Sequence, residues 1–374
     1  MDPGNTLDWL AVHLLPGLGP AAAREAVARY QDPAAVAYRV PPEELAACGR
    51  VDFGRIAEGR RGLRRRVERE VELCGRQDVR LVTLVDPAYP AALGEIGSAP
   101  VLLYQKGTIE PGVVRIAVVG SRTPTPYGRT VASALGAGLA SRRIEIVSGG
   151  ARGVDAAAHR SALGVAGGRT IAVLGSGLLR PYPPEHAELF EEIAAHGAAV
   201  TEFPMEEPPR AENFPRRNRL ISGLSAAVVV VEAAERSGSL STAAHALEQG
   251  REVLAVPGAV HSAKSVGCHR LIQQGAKLVH EIEDVVLELS PMYRDGVGPK
   301  PSAGEAPALD GLTEDETALL SVVAEHGPLH LDRLADLAPF GISRVQAALF
   351  GLELRSAVEQ TPGKYYVLRP RKEA

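Results

Sequence analysis

Cysteine is scarce in this chain. Its three thiols, Cys48, Cys74 and Cys268, stand far apart and form no C-x-x-C pair, which argues against a zinc ribbon or a disulfide scaffold and fits a reducing compartment. Long apolar runs are also missing. The longest, near Ala226–Val231, is far too short to cross a bilayer. The opening MDPGNTLDWL has neither the basic nor the apolar part of a signal peptide, so a cytoplasmic protein without a membrane span is expected. A surplus of positive charge is absent, the net charge being −4; any nucleic-acid site must therefore be a local patch. Aromatic residues make up only 4%, so the cores must be aliphatic. The G-x-G-x-x-G and G-x-x-x-x-G-K-[ST] phosphate fingerprints do not occur after the strands. No nucleophile–base pair or metal-ligand cluster can be assembled from spacing.

What is present begins with Val113–Leu163. Two β-branched runs, Val113–Val119 and Ile144–Val147, each end in a Gly/Ser loop that opens an Ala-rich helical segment. Runs without alternation are the mark of parallel strands covered on both faces. The loops carry Gly120, Ser121 and Arg122 in one case and Gly149, Gly150, Arg152 and Gly153 in the other. Glycine lets backbone approach a ligand, and a following helix offers free N–H groups and partial positive charge. Two neighbouring anion-binding loops, each with an arginine, are predicted on one sheet edge.

At 374 residues and 45% hydrophobic content, two or three domains with real cores are expected. Residues 1–78 read as a helical domain. Within it, Leu14–Ala23 (LLPGLGPAAA) resembles a helix-hairpin-helix turn, or else is a tight helical connector. Six arginines between Arg60 and Arg69 interleave with glutamates, as on a solvated helix face or a stripe for a phosphate backbone. Residues 79–290 alternate strand and helix, which predicts an α/β fold: an extended, Rossmann-like, doubly wound parallel sheet, with ligands at the carboxyl ends of its strands. Residues 291–309, rich in Pro, Gly and Ser, read as a linker. In 310–374, the capping box Thr313–Glu316 opens three helices, and a hairpin turns at Thr361–Lys364. Together these predict a winged helix. Only Arg344 and Arg355 are basic near its third helix.

A second constellation lies between the sixth and seventh predicted strands. Residues 206–217 read as a loop, with a helix from Leu220. Phe214, Arg216, Arg217, Asn218 and Arg219 suit single-stranded nucleic acid: cations for phosphates and a ring for a base. Alternatively, Phe214 packs under the loop and Arg219 pairs with Glu202 or Glu232. Further on, Ser237, Gly238, Ser239 and Thr242 offer hydroxyls and N–H groups at a helix start. Asp155 and His159, one helical turn apart, could pair in chemistry, although a helix N-terminus alone accounts for Asp155.

These stretches (VVGSR, SGGARGVDAAAH, NFPRRNRLISGLS, SGSLSTA and VPGAVHSAKSVGCHRLIQQGAKLV), with DPAYPAAL and PVLLYQKG before them, resemble the DNA-processing protein A family (DprA, also called Smf) of bacterial transformation. The resemblance covers about residues 80–290. It implies a non-catalytic protein without a cofactor that binds and protects single-stranded DNA and loads a RecA-type recombinase onto it. It also implies a homodimer through the late part of the Rossmann-like domain, near Val266–Gly275. The family's arginine after Gly-Ser falls on Arg122, and its R-N-R element on Arg217, Asn218 and Arg219. Two positions depart: relatives usually have Asn where His269 stands and a basic residue where Ala244 stands. A competing reading is a nucleoside-monophosphate N-ribosidase on a similar fold, whose P-G-G-x-G-T-x-x-E run would correspond to SGSLSTAAHALE here; the missing glycine pair and displaced glutamate speak against it. A third is an adaptor that binds only proteins.

Overall fold

Apolar runs without alternation become the buried strands of one nine-stranded sheet. The computed structural model describes residues 6–294, 296–298, 313–354, 357–361 and 363–368, in two units, Met1–Pro299 and Lys300–Ala374. The strands of the first unit are β1 (Arg80–Thr83), β2 (Leu102–Gly107), β3 (Arg115–Val119), β4 (Glu145–Ser148), β5 (Thr170–Val173), β6 (Ala198–Thr201), β7 (Ala227–Val230), β8 (Glu252–Ala255) and β9 (Lys277–Leu278). Every residue of β3 to β7 is buried, because helices cover both faces. The sheet order is β1-β2-β6-β5-β4-β3-β7-β8-β9. From β6 to β9 all neighbours run parallel, while β1 and β2 add an antiparallel edge. Winding reverses between β3 and β7, and the crevice at such a switch point is where doubly wound sheets take ligands.

Among the described residues, five α-helices precede the sheet: α1 (Thr6–His13), α2 (Pro20–Tyr30), α3 (Pro33–Tyr38), α4 (Phe53–Arg60) and α5 (Leu63–Arg76). They share one core with the antiparallel edge, where Trp9, Leu10 and Val67 pack with Leu102, Tyr104 and Met205. Fully burying an apolar side chain such as Leu, Val or Met contributes about 1.5–3 kcal/mol, so these helices are fastened to the sheet rather than tethered beside it. The sheet's own helices are α6 (Ala91–Gly94), α7 (Pro126–Ser141), α8 (Val154–Leu163), α9 (Ala187–His196), α10 (Asn213–Gly223), α11 (Gly238–Glu248), α12 (Val266–Gln273), α13 (Ile282–Glu288) and α14 (Pro291–Arg294).

Two sequence expectations need correction here. The helix expected from Leu220 begins at Asn213. Pro215 falls in its first turn, where a missing N–H costs nothing. The start of the expected linker is ordered: α14 forms, and Gly298 both donates to the Arg142 carbonyl at 2.7 Å and accepts from Arg142 Nε at 2.7 Å. Residues 299–309 of that stretch lie outside the described residues.

The second unit is a winged helix: α15 (Glu314–His326), β10 (Leu329–His330), α16 (Leu331–Leu337), α17 (Ile342–Leu354), β11 (Val358–Thr361) and β12 (Tyr365–Leu368). Its strands run antiparallel in the order β10-β12-β11. The Thr313 capping box closes in both directions. Arg344 is held by Asp315 at 2.8 Å, and Arg355 lies outside the described residues. Among the described residues, no helix is long and apolar enough to cross a membrane.

Candidate nucleic-acid interface

Loops after β3, β4, β5, β6 and β7 converge on one open cavity of about 690 Å³ at the switch point. Two of them are fastened together. Val154 N–H donates to the Ser121 carbonyl at 3.1 Å. Gly153 sits at φ +81°, and a side chain there would strike that same carbonyl, so the close approach and the left-handed backbone both demand glycine.

Two guanidinium groups face this cavity. Arg122 is exposed, lies 5.3 Å over the Phe214 ring, and among the described residues has no carboxylate partner. Arg217 forms the floor. It is 4% exposed, and its Nη1 donates to the carbonyls of Gly149, at 2.7 Å, and Val173. Its Nε has no hydrogen-bond partner among the described residues. Burial lowers the Arg217 pKa to about 10; the nearby Asp155 carboxylate opposes this, and the like charge of Arg122 adds to it. Two cations that raise each other's cost across a cavity favour an anion between them.

Carboxylates already fill the helix starts that the glycine loops open. Glu232 accepts from Thr125 N–H at 3.0 Å and from the Thr125 hydroxyl, at the start of α7. Asp155 accepts from Ala151 N–H at 3.2 Å, at the start of α8; burial raises its pKa, and Arg217 and the loop hydrogen bonds restrain the rise. The anion capacity predicted from the α7 and α8 N-termini is therefore used internally. What remains for a ligand is the arginine pair and the start of α11. There Ser237 Oγ lies 2.8 Å from Ser239 Oγ, Asn218 Nδ2 donates to the Gly238 carbonyl at 3.2 Å, and the buried Thr242 lines the wall.

Of the residues singled out from sequence, Gly120, Ser121, Arg122, Phe214, Arg217, Asn218, Ser237, Gly238, Ser239 and Thr242 line this one cavity; Gly149, Gly150, Gly153, Arg152, Arg216 and Arg219 do not. Gly149 and Gly150 are support: a side chain on the first would strike the Arg217 guanidinium and on the second the Phe190 ring. Arg152 pairs with Glu185 at 2.5 Å and covers the Tyr182 ring. Arg219 is buried in a two-pronged pair with Glu202, at 2.9 and 2.7 Å, the alternative weighed from sequence. Arg216 covers Phe203 on another face of α10. His159 does not partner Asp155; it is fully buried, with Nδ1 2.7 Å from Thr170 Oγ1. His269 Nε2 lies 3.1 Å from the Gly258 carbonyl oxygen, and Ala244 is exposed on α11.

Sequence reasoning missed Tyr182 and did not count Asp155 as lining. Tyr182 meets Phe214 at 5.6 Å, so Arg122, Phe214, Tyr182 and Arg152 form a ladder along the cavity rim. Phe214 is not a free platform: one side faces Gly175 and Arg122 covers its ring. The exposed plane at this rim is the Arg122 guanidinium.

Fold and cavity together define a doubly wound α/β protein with an arginine-lined cavity at its switch point and a winged helix in its second unit. Residues 80–290 match the family model of DNA recombination-mediator protein A, and residues 303–364 match the DprA winged helix domain. The chain belongs to the DprA/Smf family. It is 42% identical to protein Smf of Escherichia coli over 75% of each chain. It is 41% identical to the DNA processing protein DprA of Bacillus subtilis, over 57% of this chain and 72% of that one. The crystal structure of DprA from Streptococcus pneumoniae is 33% identical, with a TM-score of 0.68, over 76% of this chain and 98% of that one.

Proposed function

We propose that this protein holds single-stranded DNA in the switch-point cavity and passes it, without making or breaking a bond, to a RecA-type recombinase in the cytoplasm. One observation carries the reading: Arg122 and Arg217 converge on a cavity whose lining carboxylate, Asp155, is set against Arg217 and held by the loop, while Arg122 has no carboxylate partner among the described residues. A phosphodiester chain supplies that charge, and the rim ladder suits unstacked bases. Family membership supports the recombination context. In the late part of this domain Leu247 on α11, Val260 in a loop and Leu278 on β9 are exposed, which suits a homodimer.

The N-ribosidase reading needs a carboxylate able to act on a nucleotide. Asp155 and Glu232 are both tied to backbone N–H groups of the loops, which favours the non-catalytic reading. The test is a titration of single-stranded and duplex oligonucleotides across a salt series. Preferred single-strand binding that weakens steeply with salt is expected. Equal or absent binding, or base release from nucleoside monophosphates, would overturn the proposal.

A further inference from the structure

A second cavity, also of about 690 Å³, lies beneath the glycine hairpin Pro16–Pro20, where the N-terminal helices meet the segment after β6. Gly17 has φ +83°, and any side chain on it would meet the Asp52 carbonyl at 2.8 Å. The chain then enters α2, whose N-cap Gly19 supplies no side-chain cap. Pro20 has no N–H, and the first intrahelical bond from α2 is Ala23 N–H to Gly19, so the N–H groups of Ala21 and Ala22 are left without helical partners.

Arginines from three elements surround this hairpin: Arg55 on α4, Arg66 and Arg69 on α5, and Arg216 on α10. Two carboxylates share the space. Glu206 is held by Arg69 at 2.6 Å, and Glu70 accepts from Met205 N–H at 3.0 Å. Among the described residues, Arg55, Arg66 and Arg216 have no carboxylate partner. A smaller adjoining cavity of about 240 Å³ shares Gly19, Pro20 and Arg216 with this one. Asn213 lines it, is 3% exposed, and its Nδ2 has no hydrogen-bond partner among the described residues. A buried N–H donor without an acceptor is unfavourable, and an anionic oxygen would supply the acceptor.

Helix α10 separates the two sites. Phe214, Arg217 and Asn218 line the switch-point cavity, and Asn213 and Arg216 the hairpin side. A helix is about 10–12 Å across, a span covered by a few nucleotides of extended strand. We propose that the hairpin, Arg55, Arg66, Arg216 and Asn213 form a second phosphodiester-binding station, which takes the same single strand after it leaves the first. This rests on the reading of the first cavity.

The experiment is fluorescence anisotropy on the full chain with dT oligonucleotides of about 6 and about 30 nucleotides, bracketing common single-strand site sizes, and with a blunt duplex. Arg55→Glu is the main variant: the side chain is exposed, and an acidic residue in the first turn of α4 is favourable to the helix, so the fold survives. Asn213→Ala is the second. The proposal expects Arg55→Glu to weaken the long oligonucleotide about three- to tenfold, to reduce the salt slope by about 0.7 for each phosphate no longer neutralised, and to leave the short one unchanged. Equal weakening on both lengths, weakening confined to the duplex, or no weakening on the long strand while Arg122→Ala still weakens it would each overturn the second station alone. Arg122→Ala without effect on the short oligonucleotide would sink the first cavity, and the second station with it.

Discussion

Replacing Arg219 with alanine, set beside the same change at Arg122, separates a folding role from a binding role among the arginines singled out from sequence. Arg219 and Glu202 are 8% and 4% exposed and share two hydrogen bonds, at 2.9 and 2.7 Å. Removing the arginine leaves a buried carboxylate without its counter-charge, a loss of about 3–5 kcal/mol. At roughly 2–4 °C per kcal/mol for a large domain, the melting temperature should fall by roughly 6–20 °C. Arg219 does not line the switch-point cavity, so the protein that remains folded should bind single-stranded oligonucleotides as before. Arg122→Ala should do the opposite. Its side chain is exposed and without a carboxylate partner among the described residues, so stability should hold while affinity drops about tenfold or more. Arg219→Met combined with Glu202→Leu should recover most of the lost stability, because an apolar pair replaces a buried ionic one without leaving a charge behind. Thermal melts and anisotropy on the same preparations decide the matter. An Arg219→Ala protein with an unchanged melting temperature and lost DNA binding would refute the reasoning.

Gly149→Ala should act on binding through the floor of the cavity: the added methyl would meet the Arg217 guanidinium at about 2.5 Å. A stability loss of about 1–3 kcal/mol should accompany weaker single-strand affinity, read by denaturant melts and anisotropy. His159 should impose a pH dependence on folding. Burial pushes its pKa from 6.5 down to about 3, so the unfolded chain takes up a proton that the folded chain refuses. Its contribution is therefore intact above pH 6.5 and is lost as pH falls from there toward 3, at up to about 1.4 kcal/mol per pH unit. Stability measured against pH should show that slope, and His159→Gln should flatten it. In the winged helix, Arg344 is held by Asp315 at 2.8 Å on the surface; Arg344→Ala should change stability by no more than about 1 kcal/mol and leave single-strand affinity unaltered, as anisotropy would report.

The sheet was legible because its strands are short β-branched runs between glycine loops, and a covered parallel sheet leaves little else to read. Helix α10 was misjudged at its start because Pro215 and three arginines look like loop chemistry, yet the first helical turn tolerates proline. That mattered for the site: helical geometry sends Arg216, Arg217 and Arg219 to three different surroundings, whereas a loop would let them act together. Glu232 at the α7 start had no local signal, being 107 residues from Thr125. Tyr182 sits in a proline-rich segment with nothing to announce its partner Phe214. Arg66, Arg69 and Arg216 stood out in the sequence as possible phosphate contacts, but their gathering with Arg55 around the Pro16–Pro20 hairpin was hidden, since they arrive from α4, α5 and α10.

The central claim is that a single strand lies across the switch-point cavity, and photo-crosslinking reports its position directly. A halogenated-pyrimidine single-stranded oligonucleotide is bound to the full chain, irradiated and digested, and the adducted peptides are identified by mass spectrometry. The account predicts adducts in peptides containing Gly120–Arg122, Tyr182 and Phe214–Asn218, lost together in Arg122→Ala. Adducts confined to the winged helix, with those peptides unmodified, would contradict it.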